Sequence, residues 1–387
     1  MKVYYWCPFI NPVATVTAVL NSIISLNKFS KNKYEYKIIN VFKEWSIYED
    51  ELKKNQIECI DLETNLDIKK LPKLGFLKSR FTYILTYLFS ITRLHNFLKK
   101  EKPEFFIIHL ISSIPLTLIL LFNYDTKFIL RISGYPKMTL FRKFLWKLCD
   151  KKLHKVFCPT NSTKNFLVKK NVFSPKKIFL VKDPIINFKQ LNKNKKKIFE
   201  EKIDWLKNKN YIISIGRLTK QKNFKFLINE FSKIKQIYSN LNLVILGDGD
   251  EKQFLKKIIK EKKLHENIFI LGNKKNIYPF LLNSLFFVLT SEWEDPGFVI
   301  LEAMFSKKLV LSSNCQSGPK EIIKDNFNGF LYEKNNSDDF KRKFIEIYEM
   351  SIKDNDKKNK VLLSGLRTSK QYTLYNHYKD ISQHLSR

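Results

Sequence analysis

Three short apolar runs in the second half of the chain each stop at a glycine: Tyr211–Ile215 before Gly216, Leu243–Leu246 before Gly247, and Ile268–Leu271 before Gly272. Apolar runs of this length without polar alternation are the mark of strands buried on both faces, which occur almost only in parallel sheets covered by helices. Two further runs, Leu285–Thr290 and Leu309–Ser312, follow. Between the first and second runs, Phe224, Leu227, Ile228, Phe231 and Ile234 recur on one helical face, and between the second and third Phe254, Leu255, Ile258 and Ile259 do the same. The pattern predicts βαβ winding, hence a doubly wound α/β domain whose ligand crevice lies at the carboxyl ends of its strands.

The glycines point to the same place. Seven of the ten, namely Gly216, Gly247, Gly249, Gly272, Gly297, Gly318 and Gly329, fall in this part of the chain. A chain poor in glycine elsewhere that keeps it at strand ends needs positive φ there, or close approach of backbone to a ligand.

The first half repeats the logic less cleanly, with strands expected at Lys2–Tyr5, Tyr36–Val41, Ile57–Ile60, Phe105–Leu110, Phe128–Ile132 and Val156–Cys158, and helices at Leu77–Leu98 and Thr139–Leu153. The 387 residues suffice for two such domains. Residues 1–182 are expected to form the first and 210–369 the second, with a Lys- and Asn-rich linker at 183–209 and a C-terminal helix at about 370–387 returning to the first domain. The apolar stretch Phe105–Phe122 is near the length of a membrane span, but it contains His109, Ser112, Ser113, Pro115 and Thr117. It reads instead as strand, turn at Ile111–Pro115, and helix from Leu116.

The chain has 70 Lys+Arg against 37 Asp+Glu, a formal charge of +33, which ordinarily suggests nucleic acid or an anionic membrane. Only eight of the basic residues are arginine, so the excess reflects a lysine-biased composition, and no nucleic-acid motif accompanies it. No nucleic-acid partner is expected. Five scattered cysteines without C-x-x-C spacing read as reduced thiols, and Met1–Ile10 reads as a first strand rather than an export signal. A cytoplasmic protein is expected.

Two motifs carry chemistry. Gly216-Arg217-Leu218-Thr219-Lys220-Gln221-Lys222-Asn223 leaves a strand and enters a helix. Helix-start amides, a guanidinium and an ammonium together suit a diphosphate, although a solvated basic turn has the same sequence. The second motif runs from Ser291 to Met304: strand end, Glu294, a turn forced by Pro296-Gly297, then an apolar helix turn carrying Glu302. Acids before a helix can complement its dipole, but that does not account for Glu302 within the helix.

With Gly247-Asp248-Gly249, Phe269–Gly272, Ser317-Gly318-Pro319-Lys320-Glu321-Ile322 and Asn328-Gly329 in the same order, these motifs resemble the C-terminal domain of the retaining glycosyltransferases of family 4, which have the GT-B fold. The resemblance covers about Tyr211 to Tyr332. It implies two Rossmann-like doubly wound domains facing each other across a cleft, the first for acceptor and the second for donor. It also implies transfer of a sugar, with retention and without a metal or other cofactor, from a nucleotide diphosphate sugar, UDP-sugar foremost, to a glycan or lipid-linked acceptor of cell-surface polysaccharide or lipopolysaccharide. In these terms Gly216, Arg217, Lys222, Gly272, Asn273, Gly297, Phe298, Val299 and Glu302 would bind the donor. Arg217 and Lys222 would hold the diphosphate, helped by the amides of 297–299; Glu302 would accept from the ribose hydroxyls, and the base would lie near Gly272–Lys275. Glu294 would contact the transferred sugar and act in catalysis with His109. Ala14, Thr15 and Arg131 would lie on the acceptor or phosphate side, though Pro12-Val13-Ala14-Thr15 stands where such enzymes often carry a Gly-Gly pair.

Within Pro136–Lys155, Phe141, Phe144, Leu145 and Leu148 form an apolar stripe beside Lys143, Lys147 and Lys151. The expectation is that the stripe packs on the first domain's sheet, leaving the lysines a weak electrostatic role at an anionic membrane at the inner face of the cell. The rival to the enzyme is a basic nucleic-acid- or membrane-binding protein on an inactive scaffold of the same fold.

Overall fold

The computed structural model describes residues 1–10, 13–30, 33–64, 76–188, 191–192, 206–353 and 356–385. The chain divides into two compact units: Met1–Pro184 with Leu374–Arg387, and Ile185–Thr373. Much of the stretch read as a linker, 189–190 and 193–205, lies outside the described residues, as does Pro12.

In unit 1, strands β1 (Lys2–Trp6), β2 (Glu35–Asn40), β3 (Glu58–Asp61), β4 (Phe105–Ile108), β5 (Lys127–Arg131), β6 (Leu153–Cys158) and β7 (Ile178–Leu180) form one parallel sheet of order β3-β2-β1-β4-β5-β6-β7. The order reverses between β1 and β4, which is the switch point of a doubly wound sheet. Strand alternation divides the core in two. Val3, Tyr5, Phe105 and Ile107 point to one face, where they meet Val16, Val19 and Ile23 of α1 (Ala14–Phe29) and Ile381 of the C-terminal helix Leu374–Ser382. Tyr4, Trp6, Phe106 and Ile108 point to the other face, covered by α3 (Phe76–Glu101), α4 (Ser113–Leu121) and α5 (Leu140–Cys149), after the short α2 (Glu49–Lys54). Each fully buried aromatic of this kind contributes roughly 1.5–3 kcal/mol. Thr139 caps α5, its Oγ1 accepting from Arg142 N at 3.2 Å, a contact stabilising by about 1 kcal/mol. The C-terminal segment is fastened by Tyr34 Oη donating to Leu385 O at 3.0 Å and Lys155 Nζ to His384 O at 3.0 Å.

Unit 2 repeats the winding. β8 (Tyr211–Ile215), β9 (Asn242–Leu246), β10 (Ile268–Ile270), β11 (Phe286–Leu289), β13 (Leu309–Ser313) and β15 (Phe330–Tyr332) lie in the order β10-β9-β8-β11-β13-β15, and β12 (Trp293–Glu294) pairs with β14 (Gln316–Ser317) beside them. The switch point falls between β8 and β11. The sheet has one strand more than its five legible runs, because β15 is only three residues long and is held by pairing with β13 rather than by its own pattern.

Several local expectations are corrected. Pro115 sits in the first turn of α4 rather than closing a turn, a position where its missing N–H costs nothing. The expected helix Thr139–Leu153 stops at Cys149, and Leu153 opens β6. Phe254 is exposed although Leu255, Ile258 and Ile259 beside it are buried, since the stripe is narrower than the apolar run. The largest correction is α5. It buries Trp146 and Cys149, whereas Phe141, Phe144 and Leu148 stand out in solvent and Leu145 is half-buried.

Candidate active site

The carboxyl ends of β8 and β11, on either side of the unit 2 switch point, bring the two motifs together. The segment after β8 is stitched to the segment after β11: Gln221 Nε2 donates to Trp293 O at 2.9 Å, Glu292 N to Gln221 O at 2.8 Å, and Thr290 Oγ1 to Lys222 O at 3.0 Å. Asn223, in the left-handed conformation that starts the next helix, donates through Nδ2 to Glu292 Oε1 at 2.6 Å. These bonds place Lys222 Nζ on Glu294 Oε1 in a hydrogen-bonded ion pair with both side chains largely buried. Ser291 Oγ donates to the same oxygen at 2.6 Å. Arg217, by contrast, is exposed, with a 3.4 Å contact to Gln221 Oε1 and no carboxylate partner among the described residues. One cation of the motif is thus paired with the acid, while the other is exposed beside it.

Beyond Glu294 the chain turns through Pro296 and Gly297. Gly297 adopts φ +91°, which an L side chain rarely takes up, and it starts the helix Phe298–Phe305. The amides of Gly297, Phe298 and Val299 form that helix's N-terminal turn, and Glu302 follows one turn in. Burial raises the Glu302 carboxyl from 4.5 to about 7, and the Tyr278 hydroxyl facing it partly offsets the rise. Gly272 and Asn273, expected to lie near the base, follow the end of β10; Gly247 N donates to Gly272 O at 2.9 Å, joining the ends of β9 and β10, and Asn273 is exposed.

The glycine reading needs one amendment. A Cβ on Gly247 would lie 1.8 Å from Gly216 O, with φ at +151° besides. The space this glycine saves is therefore taken by the chain's own backbone, which lets the loops after β8 and β9 touch. It shapes the site rather than opening it to a ligand.

Unit 1 has its own polar cluster at the switch point, lining a small cavity: Tyr5, Ser22, His109, Arg131, Asp183 and His377. Arg131, 4% exposed, is ion-paired to Asp183 and also donates to Ile132 O at 3.2 Å. His377 Nε2 meets Ser22 Oγ at 2.7 Å, Ser22 meets Tyr5 Oη at 3.1 Å, and the other ring nitrogen of His377 meets Lys182 O at 2.7 Å. His109 stacks near Tyr5, with ring centroids 6.0 Å apart; its Nδ1 is buried without a hydrogen-bond partner, and burial with the nearby Arg131 charge holds its pKa well below the usual histidine value. Ala14 and Thr15 open α1, Ala14 exposed and Thr15 half-buried.

Within unit 2 the structure therefore unites Gly216, Lys222, Glu294 and Gly297 around one pair of strand ends; within unit 1 it unites His109 with Arg131. Sequence reasoning missed Ser291, which holds Glu294, Tyr278, whose hydroxyl faces Glu302, and Asp183 and His377, which engage Arg131 and Ser22. Ser291 lies inside the quoted motif and was legible by position. The others become neighbours only through the fold.

Comparison with known proteins agrees with this architecture. Residues 195–361 match the family described as glycosyl transferases group 1. An uncharacterized glycosyltransferase of Methanocaldococcus jannaschii is 29% identical over 80% of this chain and 76% of its own length. The UDP-Gal:alpha-D-GlcNAc-diphosphoundecaprenol alpha-1,3-galactosyltransferase of Escherichia coli is 27% identical over 70% of this chain and 74% of its own. The N-acetylgalactosamine-N,N'-diacetylbacillosaminyl-diphospho-undecaprenol 4-alpha-N-acetylgalactosaminyltransferase of Campylobacter jejuni is 32% identical over 51% of this chain and 52% of its own. Among solved structures, a glycosyltransferase from Rickettsia africae superposes with a TM-score of 0.74 at 19% identity over 99% of this chain and 97% of that one. Anabaena HepE in complex with UDP gives 0.72 at 14% identity over 100% and 99%. The fold is GT-B. The match to the group 1 family is confined to residues 195–361, and the proteins this chain is similar to include ones named for amylovoran and lipopolysaccharide core biosynthesis.

Proposed function

We propose that this chain is a retaining, metal-independent glycosyltransferase of the family 4 type that moves a sugar from a UDP-sugar to a glycan or lipid-linked acceptor in surface polysaccharide or lipopolysaccharide synthesis. The observation that carries the reading is the Lys222–Glu294 pair, with Arg217 exposed beside it and Glu302 one helix turn further on. A sugar nucleotide offers both halves of what these groups lack: a diphosphate for the cations and vicinal hydroxyls for the carboxylates.

On donor binding Arg217 meets the diphosphate first. Lys222 then turns from Glu294 to a phosphate oxygen, and Glu294, still held by Ser291, accepts from hydroxyls of the sugar. As the bond from the anomeric carbon to the phosphate breaks, the acceptor hydroxyl oxygen bonds to that carbon from the same face and gives its proton to the departing phosphate oxygen; the negative charge that grows on the diphosphate is met by the two cations and the 297–299 amides. These cations supply on the chain itself the charge that a bound metal ion would otherwise provide. Glu302 as carboxylate accepts from the ribose diol. His109, held neutral, is the unit 1 candidate for a hydrogen bond to substrate. UDP as donor nucleotide and a lipid-linked acceptor are supported by the named specificity of the Escherichia coli relative.

Thermal melting with a panel of nucleoside diphosphates and sugar nucleotides in EDTA tests the donor site, because a ligand of the native state raises the midpoint by mass action. Uridine nucleotides should shift it selectively. Product analysis by NMR should then show the donor's anomeric configuration kept; an inverted product, or turnover lost with EDTA, would count against the finer assignment.

A further inference from the structure

Unit 1 turns an apolar face to solvent. α3, α4 and α5 pack side by side on one face of its sheet, where Leu94 and Leu98, Leu116 and Ile119, and Trp146 and Cys149 supply the core. Their outward sides carry large apolar groups as well. On α5 Leu140, Phe141 and Phe144 are 89%, 72% and 66% exposed; on α3 Ile84 and Leu88 are 56% and 61% exposed; at the end of α4 Leu121 is 66% exposed. Phe141, Phe144 and Leu148 recur at the three- and four-residue spacing that puts them on one side of α5, so this is a second stripe and not scattered exposure. A helix whose other side already covers the sheet has no need of this second stripe.

Charge decides what could cover it. Arg142, Lys143 and Lys147 lie among the exposed apolar residues of α5, Lys151 and Lys152 follow it, and Lys99 and Lys100 close α3. Glu101 is the sole carboxylate in the three helices. A two-fold contact between copies would bring this excess of cations against itself with only Glu101 and, after α5, Asp150 to answer it. A lipid surface with anionic headgroups suits both properties at once.

We propose that the α3–α4–α5 face docks on an anionic bilayer, with Leu140, Phe141, Phe144 and Leu148 in the boundary between headgroups and acyl chains and Arg142, Lys143 and Lys147 at the lipid phosphates. The contact is peripheral, since among the described residues no helix is long and apolar enough to cross a membrane. α4 and α5 follow β4 and β5 and so begin at the carboxyl ends of the strands. The docking face thus reaches the edge of unit 1 where His109 lies, and an acceptor carried on a lipid would be presented at that edge. The proposal does not depend on the donor site of unit 2.

Co-sedimentation of the full chain with vesicles of phosphatidylcholine, with and without phosphatidylglycerol, tests it. Binding should require phosphatidylglycerol and weaken with salt. The double variants Phe141→Ser/Phe144→Ser and Lys143→Glu/Lys147→Glu should each lower it at least about tenfold, with the circular-dichroism melting curve unchanged because all four side chains are outside the core. Wild-type protein that stays in the supernatant with anionic vesicles, or variants that sediment as it does, would overturn the proposal. So would a dimer in light scattering that Phe141→Ser/Phe144→Ser splits while vesicles remain unbound, which would make the face a contact between copies.

Discussion

The two units build the same switch point and use it differently. Each places a cation and a carboxylate beyond the carboxyl ends of its strands: Lys222 with Glu294 after β8 and β11, the switch point of unit 2, and Arg131 at the end of β5 with Asp183 after β7, beside the switch point of unit 1. In unit 2 the pair sits beside an exposed arginine and a helix start opened by Gly297. In unit 1 it sits in a cavity closed by α1 and the C-terminal helix, within a chain of hydrogen bonds through His377, Ser22 and Tyr5. One fold therefore gives one ion pair beside an exposed arginine and another that fastens two chain segments together. The difference lies in what surrounds the charges, not in the charges.

The strongest way to break this contrast is to remove one member of each pair. Glu294→Ala should lower turnover by roughly a hundredfold or more, since a contact to the reacting sugar is lost and Lys222 is left to the diphosphate. The loss of stability should stay below that of Arg131→Leu, because the Lys222 ammonium, on a flexible stem and 13% exposed, reaches water more readily than a carboxylate left beside a 4% exposed position. Arg131→Leu should do the reverse, costing about 3–5 kcal/mol of stability because Asp183 is left without its partner, while nucleotide binding to unit 2 persists. Arg131→Met with Asp183→Leu should recover much of that loss in denaturant titration. If Glu294→Ala destabilised the chain as much as Arg131→Leu, both pairs would be structural.

A second contrast is one of sign with pH. Burial raises Glu302 in unit 2 from 4.5 to about 7, so the unfolded chain gives up that proton first and stability falls as pH rises from about 4.5 to 7. His377 in unit 1 is lowered from 6.5 to about 4, chiefly by burial, so the unfolded chain takes up a proton first and stability falls as pH drops from about 6.5 to 4. Melting curves across this range should lose the first trend in Glu302→Gln and the second in His377→Gln. Donor affinity should also rise with pH through about 7 as Glu302 becomes a carboxylate, and Glu302→Gln should flatten that profile at a weaker affinity. A wild-type profile with no change near neutrality would remove Glu302 from the donor site.

The smallest expected effect concerns Tyr278, whose hydroxyl faces Glu302. Tyr278→Phe should leave kcat nearly unchanged and raise the donor KM by no more than about two- to fivefold, since it removes only a hydroxyl facing Glu302, worth at most about 0.5–1 kcal/mol in the ground state. A fall in kcat instead would place Tyr278 in the chemistry.

The sequence by itself determined the winding of both units and the place of the two charged motifs at the strand ends of unit 2. Apolar runs, helical spacing and glycines are local signals, and local signals suffice for βαβ order and for which strand ends carry the acids. The fates of individual side chains were decided only in the tertiary structure. Lys222 and Glu294 are 72 residues apart, Arg131 and Asp183 are 52 apart, and nothing in the neighbourhood of either lysine or arginine announces its partner. The stripe of α5 shows the same limit: apolar spacing says that a helix has an apolar side but not whether the sheet or the solvent receives it. That depends on which face Trp146 and Cys149 take in the core, and packing against neighbouring helices and strands, not periodicity, makes that choice.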